Sequence, residues 1–326
     1  MTKISAGIIG LGQIGMGYDT DVQSDTYFLS HSKSFFKHPD FELKFLMDID
    51  KDLLEEAKLR FPGVNVVDTI NNIDVLPELV VLAANSKVNA NYLESIIENE
   101  DVKLILVEKP VSNLFFEKYT EVELEEISDK IYVNYTRKYV PYFKQLRADI
   151  ANGIFGNCSL VNIYYSKGIR NNGSHFIDLA KFLFSNYEFS CQSVFRKIND
   201  YSDLDPSISC VLKADNGNHH FEIVFNSIDE RNYSVLEMDI FFEKGRRRIY
   251  DFGVHADEYG VKPDPLFPNY VNLIPDKIKL KTELNKYGYF LGDKVWGILR
   301  NGETNDSNLL NEKSIFELIK KINNKQ

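Results

Sequence analysis

The reading of this chain turns on Ile4-Ser5-Ala6-Gly7-Ile8-Ile9-Gly10-Leu11-Gly12-Gln13-Ile14-Gly15. A β-rich apolar run passes straight into GxGxxG, which is the grammar of a first strand followed by a phosphate-binding turn. In such a turn the first glycine permits a tight bend and the second lets a pyrophosphate approach the backbone. The third lets a helix pack close, with its N–H groups facing the anion. A structural strand-to-helix junction can carry the same letters. Placement at the head of a strand–helix–strand pattern predicts a dinucleotide site instead, with Gly10, Gly12, Gln13, Ile14 and Gly15 as its cofactor-contacting residues.

Working outward, short apolar runs recur at Leu43–Met47, Val64–Val67, Leu79–Ala83 and Leu104–Val107. Helical spacing lies between them, with Leu53, Leu54, Ala57 and Phe61 behind Asp50, and Tyr92, Leu93, Ile96 and Ile97 further on. Alternation of this kind predicts a parallel sheet with crossover helices. After about Ile131 the pattern changes. A helix starts behind Pro141 and stops at Gly153, and period-two runs follow at Ile208–Leu212, Phe221–Phe225 and Leu236–Phe242, as expected of antiparallel strands with two unlike faces. A helical stripe of Ile315, Phe316, Ile319 and Ile322 closes the chain. The fold class expected is an α/β Rossmann domain, a doubly wound parallel sheet, at residues 1–130. An α+β domain with a large, mostly antiparallel open sheet follows at 131–326, its C-terminal helix at about 312–323 packing back on the first domain.

Composition narrows the function. The 326 residues exceed what one core usually organises. A net charge of −10 opposes unspecific adhesion to nucleic acid or anionic membranes, so neither is expected as a partner. No apolar run approaches the roughly 20 residues of a membrane span, and the N-terminal apolar stretch is too short for a secretory h-region. Cys158, Cys191 and Cys210 are widely spaced and lack a CxxC, which fits reduced thiols in the cytoplasm and no metal site. The 23 Phe and 18 Tyr stand beside a single Trp. Tyr164, Tyr165, Phe221, Phe225, Phe241 and Phe242 fall on period-two strands, whose alternate residues point oppositely, which predicts a homodimer or homotetramer built through the C-terminal sheet.

Asp48 ends the second strand, where a carboxylate accepts hydrogen bonds from an adenosine ribose and repels a 2′-phosphate, so NAD is expected over NADP. A helix-capping role for Asp48 or Asp50 is the competing reading. Gly15 to Asp48 spans 33 residues, where about 20 is usual, so the polar segment Tyr18–His31 is an insertion: a lid or specificity loop, or simply a solvated loop.

At the end of the fifth strand stands Glu108-Lys109-Pro110, and Gly173-Ser174-His175-Phe176-Ile177-Asp178 follows in the second half. With the glycine loop, and with Arg137, Pro141, Gly153 and Gly156 at the entry to the second domain, these motifs resemble the Gfo/Idh/MocA oxidoreductases. That family is named for glucose-fructose oxidoreductase and inositol dehydrogenase. The resemblance implies Lys109 as the cation steadying a reacting hydroxyl and His175 as general acid/base, roles their chemistry suits. It implies cofactor contacts at Ala84, Asn85, Glu108 and Lys109, and substrate contacts at Arg137, Lys167, Asn171 and Asp178. Arg137, Lys138, Lys167 and Arg170 form a candidate cationic rim for an anionic sugar derivative. The activity implied is NAD-dependent hydride transfer at a secondary hydroxyl of a sugar, sugar acid, nucleotide sugar or cyclic polyol. Redox-neutral lyase, epimerase or glycosidase chemistry and a non-catalytic NAD sensor stay open. The chain departs from the family at Asn171, where many members carry an acid, and at Asn89, where a histidine is frequent. Lys244-Gly245-Arg246-Arg247-Arg248 reads as a solvated sheet edge.

Overall fold

The computed structural model describes residues 2–19 and 21–325. The chain divides into two compact units, residues 1–139 with 285–313, and 140–284 with 314–326. The first unit therefore runs past residue 130 and takes back a C-terminal segment that nothing in the apolar pattern marks.

In the first unit, β1 (Ile4–Ile9), β2 (Phe41–Met47), β3 (Asn65–Val67), β4 (Leu79–Leu82), β5 (Leu104–Glu108) and β6 (Ile131–Asn134) form one sheet in the order β3-β2-β1-β4-β5-β6. Every pair is parallel. This order places the chain reversal at β1 and β4, beside the glycine loop, where open α/β sheets bind ligands. All four residues of β4 are fully buried, so it reads as a continuous apolar run without alternation. The connecting helices are α1 (His31–Lys37), α2 (Lys51–Arg60), α3 (Ser86–Ile96), α4 (Asn113–Lys118) and α5 (Glu121–Ser128). Thr120 and Glu123 close a reciprocal capping box at the start of α5.

The second unit carries α6 (Pro141–Ala151), β7 (Cys158–Tyr165) and α7 (Ser174–Leu183), then β8 (Glu188–Ser202), β9 (Asp205–Asp215), β10 (His220–Ser227), β11 (Leu236–Phe242), β12 (Gly245–Tyr250), β13 (His255–Pro263) and β14 (Val271–Lys281). Its eight strands run in the order β14-β13-β12-β11-β7-β10-β9-β8. The single parallel pair is β7 with β10. Two further helices complete the chain, α8 (Tyr287–Asn301) and α9 (Leu309–Asn324).

Period two holds along β10 and β11, where Phe221, Ile223, Phe225, Leu236, Met238, Ile240 and Phe242 are all buried. Phe184 at the end of α7 sets its ring 4.7 Å from Phe221, and Phe155 sets its ring 5.1 Å from Phe242. Of the aromatic residues singled out above, Tyr165, Phe221, Phe225 and Phe242 are thus core, and the opposite face keeps Tyr164 and Phe241. The basic run is no sheet edge. β12 lies between β11 and β13, Arg246 pairs with Asp239 at 2.6 Å, Arg248 pairs with Glu237 at 3.3 Å, and Arg247 is buried with its guanidinium 4.1 Å from the Phe155 ring. The three cysteines are free thiols, and burial pushes Cys210 up to about 12. Among the described residues no helix is long and apolar enough to cross a membrane.

Gly7 shows how closely β1 and β2 pack, because a Cβ there would lie 2.0 Å from the Phe45 ring. Gly7→Ala is therefore expected to destabilise the chain by about 1–3 kcal/mol in urea melts, with Phe45→Leu in the same chain recovering much of the loss. Equal midpoints for wild type and Gly7→Ala would contradict this packing.

Candidate functional site

The glycine loop follows from three different steric demands. Gly10 has φ +98, and a Cβ there would stand 2.5 Å from the Ala84 nitrogen. At Gly15 a Cβ would stand 2.0 Å from the Gly10 carbonyl oxygen. Gly12 is exposed and has nothing within 4 Å of a Cβ position, so the outer glycines serve chain packing while the middle one leaves the loop surface open. This division matches what a pyrophosphate-binding turn needs. The helix expected after the loop is instead one wide turn at Gln13–Gly17, in which the Gly17 N–H reaches back to Gly12 at 3.0 Å and the Tyr18 N–H to Gln13 at 2.8 Å. The insertion then redirects the chain, and α1 begins only at His31. Gln13 is exposed and Ile14 half-buried.

Asp48 and Asp50 have separate tasks. Asp50 caps α2, accepting from the N–H groups of Asp52 and Leu53. Asp48 Oδ2 accepts from the Leu11 N–H at 2.6 Å, and its Oδ1 from the Asp50 N–H at 3.0 Å. The carboxylate thus braces the glycine loop from the end of β2. Neither oxygen is saturated by one donor, so each keeps capacity for a hydroxyl.

Across the loop, Asn89 is buried and clamps the turn after β4. Its Oδ1 accepts from the Ala84 N–H at 3.0 Å, and its Nδ2 donates to the carbonyls of Leu82 at 3.2 Å and Ala84 at 2.9 Å. Asn85 caps α3 by accepting from the Val88 N–H at 3.1 Å. The backbone of Ala84 is therefore engaged from within the chain.

Glu108 ends β5, and its Oε1 accepts from His31 Nε2 at 2.8 Å and from Asn134 Nδ2 at 2.5 Å. Tyr139 in turn donates its hydroxyl to Asn134 Oδ1 at 2.5 Å. Lys109 follows, half-buried, and the Lys109–Pro110 peptide is cis. Arg137 is buried. Lys138 leaves the rim proposed for it: its ammonium is buried and donates to the Asp306 carbonyl at 3.2 Å and the Ser307 hydroxyl at 3.4 Å.

In the second unit the segment Lys167–Gly173 hangs from β8 and β9 by its backbone. Asp200 accepts from the Lys167 N–H at 3.0 Å, Ser207 Oγ from the Gly168 N–H at 2.9 Å, and Asp205 from the N–H groups of Arg170 at 2.8 Å and Asn171 at 2.9 Å. Lys167 takes the left-handed conformation at φ 71. Its ammonium lies 5.7 Å from the Tyr201 ring, while the Arg170 guanidinium lies 5.8 Å from that of Phe316. The segment leads into α7, which carries half-buried His175 and buried Asp178 on adjacent turns of one face. The glycine loop, Asp48, the Ala84 turn, Glu108, Lys109 and Arg137 belong to the first unit; Lys167, Asn171, His175 and Asp178 belong to the second. Sequence reasoning missed His31, Asn134, Asp200 and Asp205, none of which sits in a motif. Among the described residues, no group of three or more His, Cys, Asp or Glu side chains is placed to hold a metal.

No protein-family model and no curated protein matches the sequence. Solved structures match along nearly its whole length. Myo-inositol dehydrogenase from Corynebacterium glutamicum is similar at TM-score 0.66 and 16% identity, covering 98% of this chain and 97% of its own. An oxidoreductase from Agrobacterium radiobacter, in complex with NAD+, L-tartaric acid and magnesium, is similar at TM-score 0.68 and 13% identity, covering 99% and 97%. A super-repressor mutant of Gal80p from Saccharomyces cerevisiae is similar at TM-score 0.70 and 12% identity, covering 98% and 96%. The chain has the two-domain fold of the Gfo/Idh/MocA type.

Replacing Asn89 strips the Ala84 turn of three hydrogen bonds in a buried place. Asn89→Ala is expected to cost about 1–3 kcal/mol of stability by chemical denaturation. A loss within error would show that water replaces the clamp.

Proposed function

We propose that this protein is an NAD-dependent oxidoreductase that moves hydride between the nicotinamide and a secondary hydroxyl of a sugar, sugar acid, nucleotide sugar or cyclic polyol. The observation that carries this reading is the open surface over Gly12, with the Asp48 carboxylate bonded to the same loop at Leu11. A bare backbone and an adjacent carboxylate fit a dinucleotide, and the anionic group at the end of β2 favours a ribose 2′-hydroxyl over a 2′-phosphate. A bound nicotinamide supplies or takes up the hydride. The chain's own residues do the rest. Lys109 directs its ammonium at the substrate oxygen and steadies the negative charge that grows there during oxidation. His175 takes the hydroxyl proton, and Asp178, three residues on, orients the imidazole or a substrate hydroxyl. Arg137, Lys167 and Asn171 supply donors to the remaining substrate oxygens.

A second reading is favoured by one residue. Asn171 stands where an acid is frequent in the resembling family and cannot carry a proton, which suits a chain that binds NAD as a signal without turnover. Likeness to the Gal80p structure supports keeping it. We place the protein in the cytoplasm, where its three free thiols persist. We also propose that it pairs through the outer face of the eight-stranded sheet, where Tyr164 is 37% exposed and the Arg246 guanidinium lies 5.1 Å from the Phe241 ring.

Incubation of the purified protein with NAD+ and a panel of sugar acids, nucleotide sugars and polyols should yield NADH with at least one of them. Lys109→Ala should then lower kcat/KM by about a hundredfold or more. NADH formation by wild type with no loss in Lys109→Ala would sink the assignment of Lys109, and NAD+ binding without any turnover would favour the sensor. Asp48→Ser should weaken NADH binding by about tenfold and narrow the preference over NADPH, read by titration calorimetry. Static light scattering should report two or four chains per particle, and a monomer in dilute solution would overturn the pairing.

A further inference from the structure

The insertion between the glycine loop and α1 is anchored at both of its ends by buried contacts. Asp19 is fully buried, and its Oδ2 accepts from the N–H groups of Leu29 at 2.9 Å and Ser30 at 2.6 Å and from the Ser30 hydroxyl at 2.8 Å. Lys33, also fully buried, places its ammonium 3.7 Å from Asp19 Oδ1, donates to the Asp21 carbonyl at 2.8 Å and lies 4.1 Å from the Tyr27 ring. Burial lowers the pKa of Lys33, against the pull of Asp19. The far end of the segment is tied to the start of α8. The Phe28 N–H donates to the Asn285 carbonyl at 2.8 Å, the Gly288 N–H donates to the Phe28 carbonyl at 3.1 Å, and the Tyr287 hydroxyl donates to the Leu29 carbonyl. The two ends of the segment are therefore fastened at buried points, while Asp21, Gln23, Asp25 and Thr26 between them are exposed.

What this fastening delivers is the residue that follows it. His31, buried at the start of α1, meets Glu108 at 2.8 Å, and Glu108 immediately precedes Lys109. The Glu108 carboxylate is only 14% exposed, so each donor on it counts. Asn134, itself held by Tyr139, supplies the second donor from β6. We propose that His31 is a positioning residue. Acting through Glu108, it fixes the backbone at the end of β5 and so the direction in which Lys109 presents its ammonium. The insertion is the rigid brace that keeps His31 in place. The functional consequence rests on the reading of Lys109 as a catalytic group; the mechanical coupling does not. Loss of the imidazole leaves a largely buried carboxylate one donor short, and the strand end relaxes to rehydrate it.

The test reads Lys109 directly and needs no substrate. The purified full chain is labelled with pyridoxal 5′-phosphate and borohydride, and the rate at each lysine is followed by mass spectrometry. His31→Leu is expected to raise the rate at half-buried Lys109 by about tenfold, while Lys44 and Lys58, at 50% and 53% exposure, keep theirs. His31→Gln, whose amide donor reaches the position of Nε2, should restore the wild-type rate at Lys109. If His31→Leu does not fold, His31→Asn replaces it, since its amide is one methylene too short for Glu108. An unchanged or lower Lys109 rate in the folded variant overturns the proposal, as does a failure of His31→Gln to restore it. Should Lys109→Ala leave turnover intact, the catalytic reading falls and the labelling result stands, so the two failures are separable.

Discussion

Where β1 ends, bare backbone touches bare backbone. Gly10 lies against the Ala84 turn and Gly15 against the Gly10 carbonyl, at separations that admit no Cβ on either glycine. Close approach of this kind positions the carboxyl ends of β1 and β4 relative to each other, and the carboxyl edge of the parallel sheet is built from there. Asp48, just past β2, reaches the same loop and accepts from the Leu11 N–H. Asn89 clamps Ala84 from the other side, holding the surface against which Gly10 rests.

The same device recurs in both units: a buried or half-buried polar side chain bonds to the backbone of a turn or loop. Asp48 does so for the glycine loop, Asp200 and Asp205 for the Lys167–Gly173 segment, and Asp19 for the insertion. Carboxylates suit this work because one group accepts two or three N–H donors, and charge-assisted bonds are stronger than neutral ones. Part of the chain's acidic excess is therefore structural, directed at its own amides rather than at a partner. Asn89 makes the corresponding argument for an amide. Its two ends satisfy one donor and two acceptors at once, which a carboxylate cannot do.

The eight-stranded sheet divides its aromatic residues by face. Tyr165, Phe221, Phe225 and Phe242 fill the side that meets α7 and its neighbours, and the other side mixes Tyr164 and Phe241 with paired Arg246 and Arg248. Only part of the aromatic excess is core, and the outer face is amphipathic rather than greasy.

What the amino-acid sequence determined by itself is whatever local periodicity and steric demand encode. Alternating strand and helix patterns settle the parallel sheet, as the close match of β1, β2, β4 and β5 to their apolar runs shows. Period two settles which residues of β10 and β11 face inward, and the GxGxxG stretch settles where bare backbone is required. Tertiary structure alone decided that residues 285–313 return to the first unit, that Gly245–Tyr250 is an interior strand, and that Asp19 is buried against the backbone of Leu29 and Ser30. It alone joined His31 to Glu108, Asp205 to Asn171 and Asp48 to Leu11. The physical reason is range: hydrophobic spacing is written along a few turns of chain, whereas a hydrogen bond between residues 31 and 108 depends on where the sheet carries each of them.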